Sequence, residues 1–177
     1  KTLTDVLHED PRIGVDVTTD PSILAKADLS YYDLIIQNYC NWDKPGLTDA
    51  AKNRFAGYLR NGGGLVIVHY ANGSWYMTNP SGLGAYWPEY SGKICRRYWD
   101  HTVSGHDAYG EFTVRFTDRK HPITDGLGGL SFQTTDELYF KQKGDLPIEP
   151  LAIAKSNVTN ADAPIAFAYN YGKGRVF

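Results

Sequence analysis

The sequence predicts an α/β protein with a mainly parallel sheet. Two apolar runs, 34–36 and 65–68, are continuous, as is typical of strands buried on both faces. Between them, apolar residues recur at helical spacing from Leu47 to Leu59. Strand, helix and strand joined by short connections form the βαβ pattern of a parallel sheet, so we expect residues 34–68 to fold as such a unit.

The residues before this unit predict a helical segment and one more strand. Residues 1–10 resemble the last turns of a helix, and Ile13, Val15 and Val17 alternate with small or polar residues like a half-exposed strand. Because residues 172–177 stop inside a strand pattern, we expect a single domain that is trimmed at both ends.

The central helix has recognisable ends. Thr48 and Asp49 offer oxygen acceptors at its start, and Asn61 with Gly62 suits a C-cap with positive φ. The glycine run 62–64 is therefore predicted to be a cap and a tight turn. A phosphate-binding loop is disfavoured because such a loop follows a strand and opens a helix, the reverse of the order here.

A long irregular connection follows Val68. Nine of the 24 aromatic residues lie between Tyr70 and Tyr109, and buried rings of this kind order a loop. A connection of this length is functional or disordered, and its aromatic composition favours an ordered, functional loop.

The remaining chain predicts more strands. Phe112, Val114 and Phe116 alternate with polar residues, as in a strand with one wet face. Further strands are expected at 151–154, at 165–169 and from Arg175 onward, with a hairpin turn at 172–174.

Composition excludes several function classes. The 177 residues (1–177) suit one domain, and a formal charge of −2 gives no electrostatic basis for binding nucleic acid. No apolar run approaches the ~20 residues that span a membrane. Cys40 and Cys95 permit at most one disulfide, and their spacing does not decide between a bridge and two thiols.

His69 is the first candidate site residue. It directly follows the apolar run 65–68, and ligands of parallel α/β sheets bind outside the carboxyl ends of the strands. Its imidazole could act as an acid or base, ligate a metal or bind a hydroxyl group; alternatively, it is a buried histidine bonded to backbone.

Two further groups could carry chemistry. Asp136 and Glu137 interrupt an apolar region, and either form a solvated turn or orient an imidazole or substrate hydroxyl. In the aromatic loop, four side chains could bind a divalent metal ion, although their spacing lacks the specificity of known metal motifs. These four are Asp100, His101, His106 and Asp107.

Several segments together resemble the ThuA-like (trehalose utilisation) family of the class I glutamine amidotransferase-like superfamily. They occur in the family's order over nearly the whole chain. The segments are YYDLIIQNYCNW, YLRNGGGLVIVHYANGSW, the GH of VSGHDAYGEFTV, HPITDGL, TTDELYF and GKGRVF.

The resemblance implies a flavodoxin-like three-layer sandwich of the class I glutamine amidotransferase type and a role near carbohydrate metabolism. In amidotransferase relatives the strand that matches 65–68 ends in a nucleophilic cysteine, and this chain has His69 there. A thioester route to glutamine hydrolysis is therefore not expected. The same match singles out His106, Asp136 and Glu137 beside His69.

Two hypotheses follow. The first is an enzyme acting on a sugar or keto-sugar in disaccharide use, with His69 as acid or base, His106 polarising a carbonyl or hydroxyl, and Asp136 or Glu137 orienting an imidazole. The second is a non-catalytic carbohydrate-binding or scaffolding module of a larger protein. Neither hypothesis invokes a cofactor, a nucleic acid or a membrane. The expected carbohydrate-binding residues are Asn72, Trp75, Trp87, Trp99 and Tyr109.

Overall fold

The computed structural model describes residues 2–177, which form three α-helices, ten strands and several short turns of other helical types. The helices are α1 (Leu3–Leu7), α2 (Ile23–Lys26) and α3 (Asp49–Arg60). The strands are β1 (Leu34–Gln37), β2 (Gly64–Ile67), β3 (Gly105–His106), β4 (Gly110–Phe116), β5 (Ser131–Asp136), β6 (Tyr139–Phe140), β7 (Pro150–Lys155), β8 (Asp162–Phe167), β9 (Tyr169–Tyr171) and β10 (Gly174–Val176).

The strands form three sheets. The first has the order β1-β2-β10-β9, in which β1, β2 and β10 are parallel and β9 is antiparallel to β10. The second, β5-β4-β7-β8, is entirely antiparallel, and β3 pairs with β6 in a small third sheet. The α/β class and the βαβ unit are confirmed. The antiparallel sheet is an addition to the expected architecture, and in β4 more exposed residues alternate with less exposed ones, as in a strand with one wet face.

Helix α3 forms where the sequence predicts it because both of its ends are capped. The Thr48 hydroxyl accepts a hydrogen bond from the Ala51 backbone amide at 3.3 Å, and Gly62 follows the last turn with φ of +118°. The apolar side of the helix is buried, with Phe55 1% and Leu59 0% exposed. This face packs into the larger of two cores.

The larger core joins α3, the first sheet and the aromatic connection. It includes Phe55, Leu65, Trp75, Tyr90 and Val176. The expectation that the aromatic connection is ordered is confirmed, since its rings fill this core and a π-helical turn, Tyr90–Cys95, runs through it. The smaller core lies on the antiparallel sheet and consists of Val114, Leu138, Ala152, Ala154 and Ala163.

Two expectations about the first residues are wrong. Ile13 and Val17 do not form a strand and are 41% and 71% exposed, because within residues 2–177 no strand pairs with this segment. Residues 1–10 do not hold only the end of a helix. Thr2 and Asp5 bond each other's backbone amides in a capping box, which makes Leu3 the first residue of α1. Lys1 lies outside the described residues.

The strand expected at 165–169 is divided between two sheets. β8 ends at Phe167 in the antiparallel sheet, and β9 begins at Tyr169 beside β10 in the first sheet. The predicted hairpin turn at 172–174 is confirmed between β9 and β10, with Gly172 at φ of +62°. Over residues 2–177, every helix is too short or too polar to cross a lipid bilayer.

Candidate functional site

His69 lies on a sharp turn just past the carboxyl end of β2. A short 3-10 helix, His69–Gly73, starts at this residue, whose φ is +50°. Residues with a Cβ rarely adopt this left-handed conformation, and when they do they often mark a functional turn. The side chain is 39% exposed. His69 thus lies at the strand end that the sequence indicates, and its imidazole is partly exposed rather than buried and bonded to backbone.

The imidazole of His69 lies between a carboxylate and a phenol. Its Nε2 is 3.6 Å from Asp136 Oδ1, and its Nδ1 is 3.2 Å from the Tyr139 hydroxyl. Burial raises the pKa of Tyr139, so this phenol stays protonated at neutral pH and can donate. The negative charge of Asp136 favours the N–H of neutral His69 on the nitrogen that faces it, Nε2, and Tyr139 then donates to Nδ1. At 3.6 Å, Asp136 acts on His69 through its charge rather than through a direct hydrogen bond.

His106 forms a second pair with the neighbouring carboxylate. Its Nδ1 is 2.8 Å from the Asp107 carbonyl oxygen and 3.8 Å from Glu137 Oε1. Since a carbonyl only accepts, Nδ1 carries the proton, and Nε2 of neutral His106 is left as the basic nitrogen. His106 in β3 lies opposite Tyr139 in β6, two residues after Glu137. This strand pairing keeps the imidazole of His106 near the Glu137 carboxylate.

Adjacent carboxylates thus face two different histidines. Asp136 ends β5 and approaches His69, whereas Glu137 begins the connection to β6 and approaches His106. Asp136 Oδ1 also accepts a hydrogen bond from the Glu137 amide at 2.8 Å. Asp136 therefore both bonds a backbone amide and approaches an imidazole, so the structure combines features of the two alternatives.

Tyr139 is the site residue that the sequence reasoning missed. Its ring centroid is 4.6 Å from that of His69, 6.1 Å from that of His106 and 4.9 Å from that of Trp99. In the sequence it belongs to the apolar run 138–140 and looks like a core residue. The one sequence feature that points to a site role is that Tyr139 follows Asp136 and Glu137 closely along the chain. That role becomes visible only when the strand pairing places Tyr139 opposite His106.

A cavity of about 240 Å³ opens beside these groups. One part of its wall is polar and contains His69, Asn72, Arg97, Asp136, Glu137, Tyr139 and Gln142. Another part is apolar and contains Ile67, Phe112, Ile165, Phe167 and Phe177. The cavity can therefore hold a small ligand that has both hydroxyl groups and a C–H face. His106 stands outside the lining and is linked to it through Glu137 and Tyr139.

The predicted binding residues lie in different places. Asn72 lines the cavity, is 7% exposed and donates through Nδ2 to the Arg97 carbonyl at 3.2 Å. Trp99 is 8% exposed and packs against the rings of Tyr139 and His106. Tyr109 is 70% exposed and does not line the cavity.

Trp75 and Trp87 belong to the core. They are 2% and 4% exposed and pack against each other, with ring centroids 5.7 Å apart. Both also contact Tyr90, so the rings present no open face on which a sugar could stack. Their expected role as sugar-stacking residues therefore does not fit their position, because aromatic side chains in this connection build the core.

The four loop residues that suggested a metal point to separate partners. Asp100 binds Lys143 Nζ at 2.9 Å, and Asp107 accepts from the Ser156 hydroxyl at 2.7 Å. His101 Nδ1 accepts from Trp99 Nε1 at 3.0 Å. In the part of the chain from 2 to 177, no three His, Cys, Asp or Glu side chains gather in a group that could hold a metal ion.

Both cysteines in the described residues are free thiols. Cys95 lines the cavity, but burial raises its pKa to about 12, and its Sγ lies 3.2 Å from the Arg97 carbonyl oxygen. The thiolate is the reactive form of cysteine, so Cys95 is a poor nucleophile near neutral pH. Cys40 is partly buried, and burial raises its pKa as well.

Comparison with known proteins identifies the fold. A ThuA-like protein from Parabacteroides merdae ATCC 43184 is 25% identical with a TM-score of 0.66, over 93% of this chain and 64% of its own. One from Bacteroides uniformis ATCC 8492 is 18% identical with a TM-score of 0.59, over 92% and 65%. A cytoplasmic protein from Salmonella typhimurium LT2 is 18% identical with a TM-score of 0.57, over 98% and 72%.

The chain spans slightly less than two thirds of the length of the two ThuA-like proteins. No curated protein matches it. The family model named ThuA, described as trehalose utilisation, matches residues 1–177. With this match over its whole length and with ThuA-like proteins among its structural neighbours, the chain belongs to the ThuA family.

Proposed function

We propose that this protein is an enzyme that acts on a sugar or keto-sugar during the use of a trehalose-type disaccharide, with His69 as the residue that moves a proton. The observation that carries the proposal is the position of His69. Its imidazole stands at the wall of a small polar and apolar cavity, 3.6 Å from a carboxylate and 3.2 Å from a phenol. Family membership in trehalose utilisation supports the choice of a carbohydrate.

The side chains suit acid–base chemistry on hydroxyl and carbonyl groups. The imidazole of His69 is held between Asp136, 3.6 Å from Nε2, and Tyr139, 3.2 Å from Nδ1, so it keeps one orientation at the wall of the cavity. The Asp107 carbonyl fixes the Nδ1–H of His106, and because His106 stands outside the cavity lining, it acts on the site through Glu137 and Tyr139.

Glutamine hydrolysis is not part of the proposal. That reaction in related folds needs a cysteine at the turn after the strand that corresponds to β2, and here the turn carries His69. The nearby thiol of Cys95 is buried and protonated, so it does not replace the missing nucleophile.

The test is turnover of trehalose, other disaccharides and their keto derivatives by the wild type and by His69→Asn. Asparagine tolerates positive φ, so the variant keeps the turn and removes the imidazole. We expect kcat to fall by about 100-fold or more, which is typical for the loss of a general acid or base. His8→Asn, at an exposed position after α1, is the matched control and should behave like the wild type.

Unchanged turnover in His69→Asn would refute the proposed role of this residue. Calorimetric titration of the wild type with the same sugars separates the alternatives. Binding without conversion of any sugar would favour a non-catalytic carbohydrate-binding module, and a lack of binding to every sugar would count against both functions.

A further inference from the structure

Trp42 lies at the same edge of the first sheet as His69. β1 and β2 are parallel neighbours in register, so the segments that leave their carboxyl ends start side by side. Trp42 is in the segment after β1, and His69 is in the segment after β2. The rings connect them. Trp42 is 6.0 Å from Tyr70, the residue after His69, and Tyr70 is 6.2 Å from Tyr139.

Trp42 is the exposed tryptophan of the chain. Its exposed fraction is 45%, whereas the other three tryptophans are between 2% and 8% exposed. Its ring also contacts His101, with centroids 5.3 Å apart and the rings nearly perpendicular. A large aromatic ring that is supported by neighbours and still open to solvent offers a ligand a flat apolar face.

The segment that presents Trp42 is fixed by a buried asparagine. Asn41 is fully buried, and its Oδ1 accepts from the Trp75 backbone amide at 2.6 Å. Its Nδ2 donates to Ser81 Oγ at 3.0 Å, and the Ser81 backbone amide donates to the Trp42 carbonyl at 3.2 Å. The exposed position of the ring is therefore held by the fold, and little ordering is needed when a ligand binds.

A hydrogen-bond donor stands next to this ring. Because the Trp99 indole can only donate, His101 Nδ1 must accept its hydrogen bond, and the proton of neutral His101 lies on Nε2, which donates to the Tyr70 hydroxyl at 3.1 Å. Burial raises the pKa of Tyr70, so the phenol keeps its own proton. Within residues 2–177 no other group bonds the Tyr70 hydroxyl, so its proton is available to a ligand.

We propose that Trp42 and Tyr70 form a second sugar subsite beside His69, which makes the substrate a disaccharide or longer saccharide. The inference rests on the proposed function and adds the size of the substrate. The Trp42 face suits the C–H face of a pyranose, and the Tyr70 phenol suits one of its hydroxyl groups. Neither group is charged, so the subsite selects a neutral sugar unit over a phosphorylated one.

The direct test uses tryptophan fluorescence. Iodide quenches the emission of exposed tryptophans, so in the wild type it should act mainly on Trp42. Trehalose at a concentration that saturates the protein by calorimetry should protect the emission from iodide, and glucose should protect it less. Trp42→Phe should lose most of the iodide-sensitive emission and all of the protection.

Affinity and kinetics give a second readout. Trp42→Ala should bind trehalose about tenfold more weakly, which corresponds to the loss of one aromatic contact. Its KM for a disaccharide substrate should rise by a similar factor, with the kinetics for a monosaccharide analogue unchanged. Tyr31→Ala is the control, because Tyr31 is 83% exposed and its described ring contact is with Tyr32.

The two proposals fail in different ways. Trehalose that binds without changing the iodide quenching of the wild type would overturn the second subsite and leave the proposed function standing. Equal effects of Trp42→Ala on disaccharide and monosaccharide would do the same. If no sugar binds, the proposed function fails and the subsite fails with it.

Discussion

Tyr139 is a single phenol that contacts both candidate acid–base histidines. Its hydroxyl is 3.2 Å from His69 Nδ1, and its ring packs on His69, His106 and Trp99. Tyr139 therefore has two separate roles. Its hydroxyl donates a hydrogen bond to His69, and its ring fills the space between the His69–Asp136 pair and the His106–Glu137 pair. Removing the hydroxyl alone distinguishes the first role from the second.

We expect Tyr139→Phe to lower kcat by about tenfold with little change in KM. The ring remains, and the loss of one hydrogen bond of about 1 kcal/mol leaves His69 less well oriented. Steady-state kinetics of Tyr139→Phe and the wild type, with the substrate identified for the wild type, measure kcat and KM. Tyr109→Phe, at a position that is 70% exposed, is the matched control. A wild-type kcat in Tyr139→Phe would show that the phenol does not orient His69.

The burial of Cys95 leads to a prediction about thiol reactivity. The side chain is 2% exposed, and burial raises its pKa to about 12. In Cys40→Ser at pH 8, the remaining thiol should therefore not react with an aromatic disulfide reagent until denaturant is added. Cys95→Ser isolates Cys40, which is partly buried and should react first. Rapid reaction of Cys95 in the folded protein would contradict the structure.

At the scale of elements, Asp107 fastens β3 to the turn between β7 and β8. It is 6% exposed and accepts hydrogen bonds from Ser156 Oγ at 2.7 Å and from the amides of Asn157 at 2.6 Å and Val158 at 3.3 Å. Burial opposes the charge of Asp107, but these donors outweigh it, and the pKa of the carboxyl is lowered. The residue next to His106 is thus a structural anchor.

Asp107→Ala should lower the free energy of unfolding by about 2 kcal/mol at pH 7, because it removes hydrogen bonds to a charged group. A lowered pKa in the folded state stabilises the protein above the unfolded pKa, which is about 4. The stabilisation is lost as the pH falls through the folded pKa. Urea denaturation at pH 7 and at acid pH should therefore show a difference between variant and wild type that shrinks on acidification.

Asp145→Ala, at an exposed position, is the control for this comparison and should unfold like the wild type. A constant difference between Asp107→Ala and wild type at all pH values would mean that the charge of Asp107 does not contribute.

Elements with their own local signals were predictable from the sequence. Helix α3 begins after Thr48 and ends before Gly62 because capping depends on nearby residues. The strand predicted at 13–17 does not form, because a pattern of alternating apolar and polar residues does not by itself supply a partner strand. The antiparallel sheet likewise depends on how β4 pairs with both β5 and β7, which strand patterns do not reveal.

At the scale of the whole molecule, buried and partly buried tyrosines couple folding to alkaline pH. Burial raises the pKa of Tyr90, Tyr139 and Tyr169 above the usual range. The unfolded chain loses these protons near pH 10 while the folded protein keeps them, so the free energy of unfolding falls as the pH rises above about 9 to 10.

We expect the absorbance of tyrosinate from the buried rings to appear together with the loss of secondary structure. Absorbance at alkaline pH and circular dichroism, recorded on the same samples, measure the two events. Tyrosinate from all 13 tyrosines forming before any loss of structure would contradict the burial seen here.

The site was only partly predictable because packing decides which aromatic residues meet solvent. His69, Asp136 and Glu137 could be found from strand ends and from carboxylates in an apolar region, and they do approach one cavity. Trp75, by contrast, lies in the core, whereas Trp42 stands open beside the site. Both tryptophans follow the ends of neighbouring parallel strands, so position along the chain could not separate them.

The backbone at His69 implies a trade-off between stability and activity. A residue with a Cβ in the left-handed conformation loses about 1–2 kcal/mol relative to the right-handed one, and glycine avoids this loss. His69→Gly should therefore unfold at a higher denaturant concentration than His69→Ala, although both lack the imidazole. Selection for stability alone would have favoured glycine at this turn, so the histidine marks a position where the fold gives up some of its stability to present a reactive group.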